Sequence, residues 1–339
     1  MKINSSAKHS RCSWEQTVAC ALLRPGITMP RDRIAELMTM RQRAGGKYKR
    51  CPSYTDLASL KVSWQANRKQ IPELSDLLPA RAVTLLEVFL RRWLERLIDF
   101  GSPYVERASK LNLSLKFDFP IAKGLQGGAV TFGELFAHSV SLSEMSSICS
   151  TFERILEGDL FEAIKNTRDR WEEKQTGQQG KPIISDVGAV RASMARLLEV
   201  RHILVHEFPL EAPCTDAELL ALVDHTISFL HAADEHFANL IFPDYPMTQS
   251  EMNDRAAQSY AALNEELDKI CAQVRAYTGR DEVDAVQKLW GEFRNAEAER
   301  QAQRHLGGTI RRMLYILAAT RITEARIKEL RDWIEDPGD

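Results

Sequence analysis

The sequence predicts an all-α protein, and two kinds of pattern support this fold class. Over most of the 339-residue chain, apolar residues recur at intervals of three and four positions, as they do on the buried face of a helix. Capping residues precede several of these periodic segments, and glycine or proline follows them. The expected architecture is an antiparallel helical bundle followed by a small three-helix bundle.

The N-terminal region, residues 1–78, is expected to be helical but is assigned no function. Helices are predicted near residues 30–43 and 54–71. The basic stretch RQRAGGKYKRCP lies between these two helices.

A first long helix is expected over residues 79–100, and Gly101 and Pro103 end it. Beyond it, apolar and polar residues alternate over 111–130, which predicts a short hairpin or an ordered loop. The sequence GLQGG in this segment lacks the Gly-Lys-Ser/Thr that completes a phosphate-binding loop, so we expect a turn there. The apolar face of the helix consists of Val83, Leu86, Leu90, Trp93, Leu94 and Leu97.

The other helices of the first bundle are expected between residues 131 and 243. Residues 131–171 predict one or two helices that start in a capping box formed by Thr131 and Glu134. A polar, glycine-containing loop follows at 172–182. The last two helices are expected from near Ser185 until Pro209 and from a cap at Thr215 or Asp216.

A segment with two prolines, FPDYPMTQ at residues 242–249, marks the boundary to a second domain. The predicted domains are therefore 79–243 and 247–336, preceded by the N-terminal region. The second domain contains three amphipathic helices, expected at roughly 248–277, 280–306 and 309–335.

The composition excludes several classes of protein. With a formal net charge of -2, the chain has no overall attraction for polyanions, so any nucleic-acid site has to be a local patch. The six cysteines form no CxxC pair, which argues against a zinc knuckle or a disulfide framework and suits a reducing compartment. Apolar runs are too short for a membrane span, and TVACALL near the N-terminus is broken at once by Arg24 and Pro25. We therefore expect a cytoplasmic protein that does not enter a membrane.

The segment LLEVRHILVHEFP, residues 197–209, places Arg201, His202 and His206 at the end of an apolar helix. The two histidines are one helical turn apart and lie on the same side. One interpretation is that these side chains are solvated or pair with carboxylates such as Glu199 and Glu207. Another is a metal site, for which neither an HExxH glutamate nor a third ligand is evident. The apolar face of this helix is formed by Leu197, Val200, Leu204 and Phe208.

A third interpretation is a metal-free ribonuclease site. A histidine moves protons to and from a ribose 2′-hydroxyl near neutral pH, and an arginine beside it binds the scissile phosphate. RNA cleavage needs neither metal nor water, because the 2′-hydroxyl itself attacks the adjacent phosphorus. One arginine and one histidine per chain are sparse for this chemistry, whereas two copies that face each other across a dimer interface supply enough groups.

The sequence RHILVHE resembles the signature of the HEPN superfamily, in which an arginine is followed by a polar residue and, after a short spacer, a histidine (R-x4-6-H). Arg201 matches the arginine, His202 the polar residue and His206 the histidine. The expected order of elements is similar too: a first helix, a long second helix, the motif late in a third helix, and a final helix. The resemblance covers residues 79–243.

The resemblance implies a function. HEPN proteins with an intact motif are typically metal-independent endoribonucleases that dimerise to form a composite cleft, and many are toxins or antiphage (abortive-infection) effectors. Arg201 is then expected to contact phosphate, His206 to act as general acid and base, and His202 to orient or assist, with no cofactor and no metal. Other HEPN domains bind nucleotides or act as scaffolds. The alternative is therefore a non-catalytic dimeric adaptor or a nucleotide- or protein-binding module.

Residues 248–330 resemble the helical domain of LprI-type lysozyme inhibitors, whose pattern runs TQ-x-EMN-x-CA, AQ-x-AW-x2-FRD-x2-C, GGS, and a cysteine before LT-x2-R-x3-L. Where that pattern has cysteines, this chain has Arg255, Ala298 and Ala318, which fits a reducing compartment and puts lysozyme inhibition in doubt. The matching positions are Thr248, Gln249, Glu251, Met252, Asn253, Gln287, Trp290, Phe293, Arg294, Gly307, Gly308, Thr323, Arg326 and Leu330.

We expect this C-terminal domain to recognise an antitoxin or a phage-derived trigger and so to control the ribonuclease. Within it, the aromatic residues Tyr260, Trp290 and Phe293 are expected to pack in the core of the bundle. Asn253 and Arg294 are expected to form hydrogen bonds inside the bundle rather than to contact a ligand.

Overall fold

The all-α fold class is confirmed by the computed structural model, which describes residues 32–46, 50–71, 74–111, 117–207, 209–278, 280–303 and 310–335. These residues form helices and contain no strand. In chain order the helices are α1 (Arg33–Arg43), α2 (Tyr54–Asn67), α3 (Leu74–Phe100), α4 (Tyr104–Ala108), α5 (Phe119–Gln126), α6 (Phe132–Ala137), α7 (Met145–Leu156), α8 (Leu160–Ile164), α9 (Arg170–Thr176), α10 (Val187–His206), α11 (Asp216–Ile241), α12 (Gln249–Thr278), α13 (Arg280–Ala302) and α14 (Arg311–Glu335).

The chain divides into two compact units, and each unit is discontinuous in sequence. The first contains the described residues up to Asn166 together with Ile183–Asp234, and the second contains Thr167–Pro182 and Glu235–Asp339. The chain therefore passes between the units three times. Helices α1 and α2 belong to the same unit as α3, so the contacts do not set the N-terminal helices apart. The domain limits expected from the sequence remain a prediction.

Helix α3 is the centre of the first unit. Helices α2, α4, α6 and α10 pack against it, and several of its apolar side chains are completely buried. The helix begins at Leu74, five residues before the predicted start, and Pro79 lies inside it. Pro79 is the sixth residue of the helix, so its missing N–H removes one intrahelical hydrogen bond in the second turn. The largest fully buried side chains of α3 are Leu78, Leu86, Phe89, Leu90, Leu94, Leu97 and Ile98.

The capping box predicted at Thr131 is present and has a second role. The hydroxyl of Thr131 accepts a hydrogen bond from the backbone N–H of Glu134 at 3.1 Å, and the Glu134 carboxylate accepts one from the N–H of Thr131 at 2.8 Å. The same carboxylate, 3% exposed, accepts a hydrogen bond from Nε of Arg41 on α1 at 2.9 Å. This hydrogen bond raises the pKa of the Arg41 guanidinium.

Glycine at position 133 lets α6 approach α3 closely. A Cβ at this position would lie 2.3 Å from the carbonyl oxygen of Glu95, so no other residue fits without a backbone shift. The N–H of Gly133 also donates to Oδ1 of Asp99 at 2.7 Å. Helix α6 is thereby joined to α3 on one side and to α1 on the other.

The prediction of one or two helices over residues 131–171 is wrong. Four short helices, α6 to α9, begin in or near this range instead. Helix α7 ends where Glu157 adopts a left-handed conformation, with φ 56°, and Asp159 then caps α8. Asp169 caps α9, which continues to Thr176, so the loop predicted at 172–182 is partly helical. Periodicity alone missed these breaks because the apolar spacing continues across them.

The hairpin or loop predicted at 111–130 is replaced, where the structure describes it, by a short helix. Asp118 caps α5 by accepting a hydrogen bond from the N–H of Ile121 at 3.1 Å. Residues 112–116 lie outside the described residues. The turn predicted at GLQGG is confirmed, because Gly127 ends α5 and Gly128 has a positive φ of 64°.

The last two helices predicted for the first bundle are confirmed, with small changes at their ends. Helix α10 starts at Val187, after Asp186, whose carboxylate accepts a hydrogen bond from the N–H of Ala189 at 3.0 Å. Of the two caps proposed for α11, Thr215 fills the role: its hydroxyl accepts a hydrogen bond from the N–H of Glu218 at 3.2 Å.

Three long helices, α12 to α14, pack on one another in the second unit, close to the predicted limits. Residues 304–309, which include Gly307 and Gly308 of the LprI-type pattern, lie outside the described residues. No described helix is both long and apolar enough to span a membrane. The main apolar cluster of this unit consists of Leu267, Ile270, Cys271, Val274, Ile327 and Leu330.

We predict that Glu134→Gln destabilises the first unit by about 2–3 kcal/mol, since it removes a buried carboxylate that pairs with Arg41 and caps α6. Urea unfolding followed by circular dichroism measures this change. Glu162→Gln is the matched control, because Glu162 pairs with Lys165 on the exposed side of α8. Breaking that surface pair should cost less than about 1 kcal/mol. Equal losses in the two variants would contradict a structural role for the Glu134 carboxylate.

Candidate arginine-histidine site and the C-terminal bundle

The three residues of the arginine-histidine motif lie in the last turns of α10. This helix ends at His206, and Glu207 follows as its C-terminal cap. Leu197 and Val200 are completely buried, as the predicted apolar face requires. Phe208, the last residue of that face, lies outside the described residues. The burial of α10 thus fixes the helix while leaving its end accessible.

The two histidines lie side by side on the exposed flank of α10. Their ring centroids are 4.8 Å apart, and both side chains are exposed, while Arg201 is half-buried. Glu199, which lies one helical turn before His202, forms an ion pair with Arg196 at 2.9 Å and not with Arg201. Among the described residues, none of the three motif side chains makes a hydrogen bond or an ion pair. Their donors and acceptors are therefore available to a ligand.

Metal binding by the two histidines lacks a further ligand within the described parts of the chain. No histidine, cysteine, aspartate or glutamate described there forms a three-ligand cluster with His202 and His206. The arrangement offers two imidazoles for proton transfer and a guanidinium for phosphate binding. Apolar side chains next to it are exposed as well, with Val205 52% exposed and Leu210 fully exposed.

The TQ-x-EMN segment of the C-terminal bundle forms the start of α12. The Thr248 hydroxyl accepts a hydrogen bond from the N–H of Glu251 at 3.2 Å. The Glu251 carboxylate accepts hydrogen bonds from the N–H groups of Met247 and Thr248, at 2.9 and 3.2 Å. These residues make a capping box, so two of the motif positions are explained by helix initiation. Asn253 accepts a hydrogen bond from the Gln249 side chain at 3.1 Å, as expected of an internal role.

Arg294 is also occupied inside the bundle, as expected. Its Nη1 donates to Oδ1 of Asn264 at 2.8 Å, and its guanidinium lies 5.4 and 5.0 Å from the ring centroids of Tyr260 and Trp290. The hydroxyl of the fully buried Thr323 lies 3.4 Å from the same Nη1. Four positions named in the sequence analysis therefore belong to one internal contact group: Arg294, Thr323, Tyr260 and Trp290.

The core position predicted for Phe293 is wrong, since this side chain is 60% exposed. Trp290 and Tyr260 are half-buried and pack against the apolar clusters. Val286 and Leu289 on the same helix are 53% and 66% exposed, so α13 carries an apolar face that no described residue covers. The prediction did not separate this outer face from the inner one, because both have helical spacing.

Two positions at which the LprI-type pattern has cysteines lie together in the core. Ala298 on α13 and Ala318 on α14 belong to one buried cluster with Ala319. The methyl groups of Ala298 and Ala318 thus occupy core positions at which the family pattern has cysteine thiols. Arg255, at the third such position, donates a hydrogen bond from Nη1 to the carbonyl oxygen of Asp244 at 2.5 Å.

Comparisons with known proteins bear only on the C-terminal part of the chain. No HEPN family model matches, and neither curated proteins nor solved structures gave a match. The family model described as "Lysozyme inhibitor LprI" matches residues 243–330. This range contains the capping box, the Arg294 contact group and the buried alanine cluster. Residues 243–330 thus form an LprI-like helical domain.

Proposed function

We propose that the protein is a cytoplasmic, metal-independent endoribonuclease of the HEPN type that acts as a toxin or an antiphage effector. The observation that supports this proposal is the pair of exposed imidazoles, 4.8 Å apart, on the same rigid helix end as an arginine without a partner among the described residues. A ribonuclease of this kind needs a proton acceptor, a proton donor and a phosphate ligand, and these side chains supply all three.

The proposed reaction is a transesterification. The ribose 2′-oxygen forms a bond to the adjacent phosphorus, and the bond between phosphorus and the 5′-oxygen breaks. His206 accepts the proton of the 2′-hydroxyl or protonates the leaving 5′-oxygen, and His202 orients or assists. Arg201 binds the non-bridging oxygens, on which negative charge increases in the transition state. The products are a 2′,3′-cyclic phosphate and a 5′-hydroxyl.

A homodimer completes the site in this proposal. One chain supplies a single guanidinium and two neighbouring imidazoles on an exposed helix end, which do not enclose a substrate. Val205 and Leu210, exposed beside the motif, offer apolar surface for a second copy. Two motifs that face each other then form a composite cleft for RNA. The LprI-like domain is proposed to recognise the antitoxin or the phage-derived trigger.

We predict that His206→Ala lowers RNA cleavage by about 10²–10⁴-fold, because it removes the proton-transfer group. The measurement is cleavage of total tRNA in the presence of EDTA, with analysis of the product ends for cyclic phosphate. His225→Gln on α11 is the control, because its Nδ1 is paired with the Ser193 hydroxyl at 2.6 Å. Both variants have to keep the thermal melting profile of the wild type.

Two outcomes of that assay would contradict the proposed site. Equal cleavage by the wild type and by His206→Ala would assign any activity to other residues. Cleavage that yields 3′-hydroxyl ends, or that EDTA abolishes, would exclude the proposed transesterification.

The second candidate function is a non-catalytic dimeric adaptor, and the exposed face of α13 favours it. This face is a seam in which Glu282, Val286, Leu289, Phe293, Ala296 and Arg300 follow one another at alternating intervals of four and three residues. That spacing is typical of a helix that pairs with another helix in a coiled coil. All six residues are exposed in the single chain.

The seam is self-complementary when two copies run antiparallel. An acidic residue stands at one end and a basic residue at the other, so Glu282 meets Arg300 of a second copy. Leu289 then lies opposite Phe293, and Val286 opposite Ala296, which gives an apolar centre with charged ends. Arg300 is already paired with Glu297 on its own helix at 2.6 Å, but this exposed pair is weak.

Analytical ultracentrifugation of the full chain distinguishes the two dimers. Leu289→Glu places a charge in the centre of the seam and is expected to give monomers if α13 forms the interface. Leu317→Glu, at a 50% exposed leucine on α14, is the matched control and should leave the dimer intact. Loss of the dimer in Leu210→Glu, but not in Leu289→Glu, would instead assign the interface to the surface beside the arginine-histidine motif.

A further inference from the structure

A cavity of about 740 Å³ lies in the first unit among the end of α1, the segment after it, α2 and α3. Its volume falls within the range of small-molecule sites in proteins. Described residues at the two ends of the basic stretch 41–52, to which the sequence analysis assigned no function, supply part of its lining. Four arginines lie in the lining: Arg43 from the end of α1, Arg50 from the segment after it, and Arg81 and Arg92 from α3.

The cavity carries an excess of positive charge. The described residues of its lining include one acidic residue, Asp56, which is ion-paired with Arg50. Arg43 and Arg81 make no hydrogen bond and no ion pair with any part of the chain that the structure describes. Arg92, whose side chain is 11% exposed, pairs with Glu95 at 2.8 Å.

The remaining lining includes both aliphatic and hydroxyl-bearing side chains. Leu60, Leu85 and Val88 supply the aliphatic wall, and Ser59 and Ser63 supply the hydroxyls. A guanidinium group is planar and can donate two parallel hydrogen bonds to two oxygens of one phosphate. An aliphatic wall accepts a flat apolar group. The combination fits a ligand with several phosphate charges at one end and an apolar ring at the other.

We infer that this cavity binds a small polyphosphorylated ligand of the size and character of a nucleoside diphosphate. Arg43 and Arg81 hold its phosphates, and the wall of Leu60, Leu85 and Val88 packs against the nucleoside. A small ligand is favoured over an RNA strand because none of the described residues that line the cavity has an aromatic ring on which successive bases would stack. This inference is independent of RNA cleavage and of the arginine-histidine motif.

Isothermal titration calorimetry of the full chain with ADP tests the inference. Saturable binding is expected at one site, with binding about tenfold or more weaker in Arg81→Gln and in Arg43→Gln, since each loses a charge-assisted contact. Arg312→Gln is the matched control, because Arg312 is an exposed arginine of α14 in the second unit and should leave the affinity unchanged. Pyrophosphate and adenosine, titrated separately, should each bind more weakly than ADP.

Three results would overturn the inference. Absence of ADP binding at millimolar concentration, with the thermal melt showing a folded protein, would exclude a nucleotide site. Equal weakening in Arg312→Gln and Arg81→Gln would reveal non-specific attraction to positive charge. Tighter binding of a single-stranded RNA oligonucleotide than of ADP, lost in Arg81→Gln and Arg43→Gln, would make the cavity part of an RNA surface instead.

Discussion

The burial of α3 is the constraint on which the first unit depends. In a helix with so many buried side chains, polar groups are stabilised by partners inside the protein, because a buried polar group without a partner is costly. Arg92 and Glu95 therefore pair with each other, and the Trp93 indole donates to Asp234 on α11 at 2.9 Å. Packing of α10 against the same helix holds the arginine-histidine motif in place. Helix α10 is thus held by its packing on α3, while its last turn, which carries the motif, stays accessible.

Local chemistry decided which features were predictable from the sequence. Features that depend on residues a few positions apart were predictable, such as the caps at Thr131 and Thr215 and the three C-terminal helices. The contact between His202 and His206 was predictable as well, because the two residues are one helical turn apart. The breaks between α6 and α9 were missed although Gly158 and the caps Asp159 and Asp169 are local signals of helix ends. The left-handed conformation itself falls on Glu157, a residue type that rarely adopts it. The arginine cavity was missed because its lining combines residues far apart in the chain.

The LprI-like domain keeps the family's pattern where that pattern builds helices. Thr248 and Glu251 begin α12, and Arg294 joins side chains of all three helices through hydrogen bonds and ring contacts. The positions at which the pattern has cysteines are filled by Ala298 and Ala318, which pack in an apolar cluster. Packing and internal polar contacts among the described residues therefore stabilise this bundle.

The threefold passage of the chain between its units determines how the gene can be dissected. A truncation at residue 247 would remove most of the second unit but leave Thr167–Pro182 behind, and Lys174 in that segment would lose its ion-pair partner Glu251. The product would be the first unit with the segment Thr167–Pro182 still attached and without the rest of the second unit. Neither unit can be transplanted as a continuous cassette, so recombination at one point would disrupt both.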